Sequence, residues 1–186
     1  MNTPAHTPVL VGIGTATRRE DDFERALEPI DLMLEAVAAA GTDSGSAAAL
    51  PGAQYIAVPR GRWTYSNPAG AIARAIGRTS ARTSARTSAR TSGAPKPITV
   101  LASVGVLQQT LIGEACARIA RGEAHTTLVA GADAGYRLLR AQIAGRQAPE
   151  RTQGEAQDNA PDIYLSPKDE LRHPAEKRAG LKMPVA

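Results

Sequence analysis

The stretch "ITVLASVGVLQQTLIGEACARIARGEAHTTLVAGADA", Ile98 to Ala134, holds a strand, a helix and a strand in succession. "PITVLAS" is a short apolar run of the kind expected for a strand buried on both faces. Val104 to Arg121 then reads as a helix, stopped at Gly122. Leu107, Leu111, Ala115 and Ile119 make one apolar stripe, and Ile112, Cys116 and Ala120 make a second beside it. A helix with so wide an apolar face is expected to be sandwiched. Glu114 and Arg118, at i and i+4, are spaced to pair on its polar edge. "HTTLVAGA", His125 to Ala132, is the next strand, and a further helix is expected from about Asp133 to Ala144.

Working outward, the upstream sequence repeats the alternation. "PVLVGIG", Pro8 to Gly14, has the look of a strand inside a sheet, a continuous apolar run closed by glycine. Ala26 to Ala40 carries Leu27, Ile30, Leu34 and Val37 at helical spacing and is expected to stop before Gly41. "AQYIAVP", Ala53 to Pro59, is another strand. In "SNPAGAIARAIG" Asn67 is the expected N-cap, Pro68 opens the first turn and Gly77 ends the helix. Strands alternating with helices imply an α/β fold with a mostly parallel sheet. From Arg146 onward the chain turns irregular, rich in charge and Pro, with one short helix expected after Ser166-Pro167.

Between Gly77 and Pro97 lies "RTSARTSARTSARTSG", a low-complexity unit repeated from Arg78 to Gly93. Like charges at i and i+4 repel, and Thr and Ser are weak helix formers, so a solvated loop is expected there. The net charge of the chain is +4, and Arg78, Arg82, Arg86 and Arg90 account for all of it. Without them 18 basic residues face 18 acidic ones, so basicity is a property of the repeat and a nucleic-acid surface elsewhere is disfavoured. One Trp, one Phe and four Tyr leave an aliphatic core. A single cysteine, Cys116, fits a reducing, cytoplasmic setting, and no apolar run approaches membrane-spanning length. His6, His125 and His173 are too scattered to suggest a metal site.

The block Ile98 to Ala134 resembles the thiolase superfamily, in which a strand runs into a buried helix that carries a nucleophilic Cys at its N-terminus. The resemblance rests on Ala117-Arg118-Ile119, Gly122-Glu123-Ala124 and Leu128-Val129-Ala130-Gly131, with Asp133 in place of the usual Glu. "PVLVGIG", "VPRGRWTYSNPAGAIARAIG" and "LRHPAEKRAGLKMPV" extend it to most of the chain outside the repeat. The acetyl-CoA acetyltransferase-like, or thiolase-like, branch is the most similar. The resemblance implies the first half of an αβαβα layered sandwich over residues 1–147, interrupted by an insertion at 78–95. Residues 148–186 would then begin the loop region that covers the CoA site, and the apolar ending "LKMPVA" suggests an interrupted sequence. It further implies acyl transfer to and from CoA, and a homodimer formed through the strand Pro97 to Ala102.

In that family a Cys at the positive end of a helix dipole has a lowered pKa and attacks the acyl group as thiolate. Counting back from Gly122 puts the nucleophile position at about Gly105, which has no side chain to offer. The family's His and second Cys come from the second half of a longer chain. No catalytic residue is therefore assigned, and no thiolase activity is expected of this chain alone. Ser103 is the nearby hydroxyl but has no His close in sequence. Cys116 lies well inside the helix, where a core thiol is expected. Gly105, Arg60, Arg62 and Trp63 are the candidate contacts to CoA or acyl-CoA, although "RGRWTY" serves equally well as a packed loop with an Arg stacked on a ring. "GIGTATR" lacks the third glycine of a dinucleotide fingerprint and reads as a strand-end turn. Two further readings stand beside an acyl-CoA enzyme of this type: a non-catalytic acyl-CoA or lipid-binding protein, and a basic nucleic-acid-binding module built on the repeat.

Overall fold

The computed structural model describes residues 6–87, 96–106, 108–150, 160–167, 175 and 178–180, with the side chains of 78–87 excepted. Leu107, the later part of the repeat and most of the helix expected after Pro167 lie outside the described residues; of that helix Ala175 and Arg178 are helical, and the Ala179 N–H donates to the Ala175 carbonyl at 3.0 Å. The element order is α1 (Pro29–Asp43), β1 (Tyr55–Pro59), α2 (Pro68–Thr87), β2 (Ile98–Ala102), α3 (Gln108–Ala120), β3 (Thr127–Val129), α4 (Gly135–Ile143) and β4 (Ile163–Leu165). The strands form a parallel sheet in the order β3-β1-β2-β4. This is the α/β alternation with a parallel sheet that the sequence implied.

Alternation along the strands sends side chains to two layers. Ile56 and Val58 of β1 and Leu101 of β2 pack with Met33 and Val37 of α1, Ile72 of α2, and Trp63 and Tyr65 from the β1–α2 loop. Tyr55, Ala57, Val100 and Ala102 face the other way, against Leu111 and Ala115 of α3. Burying each large aliphatic side chain contributes about 1.5–3 kcal/mol. The second apolar stripe of α3 is not sandwiched: Ile112 stays 49% exposed. Among the described residues nothing covers it.

Pro8 to Gly14, expected as a strand, is not a strand of the sheet. Val9, Leu10, Val11 and Ile13 are 69%, 78%, 57% and 62% exposed. The segment lies against α1 through its glycines. A Cβ at Gly12 would stand 2.4 Å from the Ala40 carbonyl oxygen, and one at Gly14 would stand 2.0 Å from that of Ala36. The Ile13 N–H donates to the Asp43 carboxylate at 2.8 Å. β1, meanwhile, already has β2 on one side and β3 on the other.

Two helices run further than expected. α1 continues through Gly41 to Asp43. Its stop is Gly45, at φ +64°, whose N–H donates to the Thr42 carbonyl at 3.1 Å. α2 passes Gly77 and carries the first part of the repeat as helix to Thr87. A helix already nucleated at Asn67 extends without a second nucleation cost, and the Ala and Arg of the repeat are good helix formers. At its start the Asn67 Oδ1 accepts the Gly70 N–H at 2.8 Å, the expected N-cap. β4 falls in the tail read as irregular; a three-residue run between prolines is too short to show a period.

Candidate functional site

In parallel α/β sheets, ligands bind beyond the carboxyl ends of the strands. β1 and β2 end in register, Pro59 opposite Ala102, so Arg60 and Ser103 leave the sheet side by side. The Arg60 N–H donates to the Ala102 carbonyl at 2.8 Å, and that of Ser103 donates to the Leu165 carbonyl of β4 at 2.8 Å. A tight turn then leads to α3, closed by the Val106 N–H on the Ser103 carbonyl at 3.1 Å. Gly105 within it has φ +103°. That conformation is open to glycine and strained for other residues.

Two polar atoms at these strand ends are buried and have no hydrogen-bond partner among the described residues: the Ser103 Oγ and the Arg60 Nε. A buried polar atom without a partner carries a desolvation penalty of about 1–3 kcal/mol, which a ligand that bonds it removes. The strand ends thus hold a buried hydroxyl and a buried guanidinium N–H next to the turn that leads into α3. These groups suit the oxygen of a carbonyl or phosphate. Val104, exposed on the same turn, adds an apolar contact.

The structure divides the residues of "RGRWTY". Trp63 and Tyr65 are buried, stacked with ring centroids 5.2 Å apart, and the Trp63 indole N–H donates to the Ala132 carbonyl at 3.1 Å. The Arg60 guanidinium sits over the Trp63 ring at 5.8 Å. Arg62 grips both carboxylate oxygens of Asp133, at 3.0 and 3.4 Å, tying the loop after β1 to the end of β3. Trp63 is therefore a packed ring and Arg62 an ion-paired guanidinium, whereas the buried Arg60 Nε has no hydrogen-bond partner among the described residues. The Tyr65 hydroxyl donates to Glu28 at 3.0 Å in the buried layer beneath. Burial, and then that carboxylate, pushes the Tyr65 phenol well above its usual pKa.

Cys116 is a free, half-buried thiol inside α3, away from the turn. Glu114 and Arg118 pair at 3.1 Å as their spacing suggested, and the Arg118 guanidinium lies over the Tyr55 ring at 4.6 Å. Gly12 and Gly14 rest on α1 and open no phosphate loop. His6 approaches Gly122, His125 precedes β3, and His173 is outside the described residues. Among the described residues no His, Cys, Asp and Glu cluster could hold a metal ion, and no helix is long and apolar enough to cross a membrane.

Sequence reasoning missed Asp162. It accepts from both the backbone N–H and the hydroxyl of Thr99, at 2.8 and 2.6 Å, and from the Lys96 ammonium at 3.4 Å. The Thr99 bonds and the nearby ammonium hold its carboxyl below the ordinary range. It fixes β4 to the edge of β2, leaving the strand expected to pair across a dimer bounded by β1 and β4. Only the Pro before it and the short "IYL" after it hinted at order.

No family model and no curated protein matches the chain. Among solved structures it is similar to the crystal structure of a monomeric SCP2-thiolase like protein type 1 from Mycobacterium smegmatis, at 27% identity and a TM-score of 0.43. The match covers 64% of this chain and 22% of that one, so the chain spans about a fifth of that protein's length, a distant and partial thiolase-like likeness.

Proposed function

We propose that this chain is a thiolase-like acyl-CoA-handling unit that binds a CoA thioester at the carboxyl ends of β1 and β2 without performing thiolase chemistry by itself. The observation that carries the reading is the Ser103 to Val106 turn. It keeps the strand-to-helix shape of a nucleophile site, with glycine at the apex and an unpartnered hydroxyl buried beside it. The residue-by-residue resemblance of Ile98 to Ala134 to the thiolase superfamily supports the acyl-CoA class.

Each group has a chemical role under this reading. The Ser103 hydroxyl and the N–H groups opening α3 donate to the thioester carbonyl oxygen, and Arg60 offers charge to the phosphates. Arg62 is already committed to Asp133 and holds the loop in place. No thiolate forms at Gly105, so a bound acyl group is retained rather than transferred. A homodimer through Pro97 to Ala102 would first require β4 to leave.

Titration of the purified chain with acetyl-CoA in a calorimeter tests the reading. Saturable binding, weakened by Ser103→Ala and by Arg60→Ala, is the expected result, together with no thiolysis of acetoacetyl-CoA. Absence of heat or thermal shift at millimolar acetyl-CoA would refute it.

A further inference from the structure

We propose that Asp162 is a positioning residue for the Ser103 to Val106 turn, acting through β4. The inference rests on the acyl-CoA reading above and adds to it a control element drawn from the tail of the chain.

β4 is three residues long and holds an edge of the sheet, with Tyr164 54% exposed. Its apolar contribution is confined to Ile163 and Leu165, which are partly buried against the α3 layer. So short a strand has little burial to hold it, and its polar anchors carry correspondingly more weight. One anchor is Asp162. Its carboxylate takes both donors of Thr99, and its own N–H donates back to the Thr99 Oγ1 at 3.1 Å. Thr99 is almost fully buried, so this clasp is seated in the sheet rather than on a loose side chain. The other anchor is at the far end, where the Leu165 carbonyl accepts the Ser103 N–H at 2.8 Å.

The two anchors bracket the pairing of Val100, Leu101 and Ala102 with Ile163, Tyr164 and Leu165. Ser103 is the next residue after that pairing and the first of the turn. Its backbone is held on the β4 side by the Leu165 carbonyl, and the direction of its unpartnered hydroxyl follows from that backbone. Opening the Asp162 clasp frees β4, removes the acceptor of the Ser103 N–H and lets the turn drift from the geometry that faces a ligand. The β3 side of the sheet, reached only through β1, is untouched.

Native-state amide hydrogen exchange on the full chain, read with acetyl-CoA affinity, tests this. In Asp162→Ala the Ser103 amide is expected to exchange about tenfold faster, the equivalent of one lost hydrogen bond. The Ala130 amide, which donates to the Ala57 carbonyl on the β3 side, is expected to keep its protection. Acetyl-CoA affinity should fall several-fold, and Asp162→Asn, which keeps one acceptor for Thr99, should recover much of both effects. If Asp162→Ala does not fold, Thr99→Val opens the same clasp from the other side, with Thr99→Ser as its conservative partner. Unchanged exchange at Ser103 in a folded variant overturns the proposal. So does equal acceleration at Ser103 and Ala130, or faster exchange with unaltered affinity. If the wild-type chain itself fails to bind acetyl-CoA, the acyl-CoA reading falls, while the contrast between Ser103 and Ala130 still decides whether Asp162 holds the turn.

Discussion

"PVLVGIG" and "QYIAVP" are close to interchangeable as local sequence, yet the first lies over α1 with its Val, Leu and Ile side chains exposed, and the second is the central strand β1, buried on both faces. The difference is in neighbours. β1 has a parallel partner on each edge and a helical layer on each face. The N-terminal segment has a helix under its glycines and, among the described residues, no strand paired with it. An apolar run thus specifies a preference for burial, and the tertiary structure decides whether burial is available.

Truncation at matched positions tests this contrast most strongly. Ile56→Ala, in the middle of β1, is expected to cost about 2–5 kcal/mol, through lost transfer energy and the cavity left behind. Val11→Ala, on the exposed run, should stay within about 0.5 kcal/mol. Urea unfolding midpoints of the two variants measure the gap, and equal losses would show that the N-terminal run is buried in solution. Gly14→Ala comes next, at about 1–3 kcal/mol, because the added Cβ meets the α1 backbone and must lift the segment away. The Ile13 amide should then lose protection from exchange, as it leaves Asp43.

A third test compares the two outer strands by pH. The Asp162 carboxyl has a pKa lowered on folding, so its contribution is fully present above the unfolded carboxylate value and is lost as pH falls through the folded one. Acid below the ordinary carboxylate range should therefore loosen β4 before β3, and the Ser103 and Ala130 amides followed by NMR should separate in that window. Tyr65 has the opposite sign. Its raised pKa means that its contribution is present below the unfolded tyrosine value, about 10, and is lost as pH rises through the higher folded value. Phenolate absorbance should show Tyr65 still protonated where unperturbed tyrosine ionises. The smallest effect is expected from deleting 78–93: acetyl-CoA affinity should be unchanged, and strong salt-dependent nucleic-acid binding lost on deletion would instead assign the repeat a function.

Much of the central framework was legible in local sequence. Asn67 before Pro68 marked the start of α2, and "ITVLA" followed by the Leu111 and Ala115 stripe marked β2 and α3, because caps and periodicity act within a few residues. The turn at Gly105 was found by resemblance, and its positive φ gives that glycine a physical reason. Arg60, Arg62 and Trp63 were read together, but nothing local separated the packed ring and the ion-paired Arg62 from Arg60, whose buried Nε has no partner among the described residues. That distinction depends on Ala132 and Asp133, which arrive from the end of β3. Asp162 carried only the weak hint of its flanking Pro and "IYL", since its partner Thr99 is far away in the chain.

Local sequence set the α/β alternation, the caps and apolar stripes, the confinement of excess charge to the repeat, and the absence of a side chain at Gly105. Only the folded chain settles which apolar runs join the sheet, that β4 closes the edge of β2, and that the Ser103 hydroxyl is buried with no partner among the described residues. The physical reason is range. Propensity, capping and periodicity are set by neighbours along the chain, whereas strand order and hydrogen-bond satisfaction depend on residues that only folding brings together.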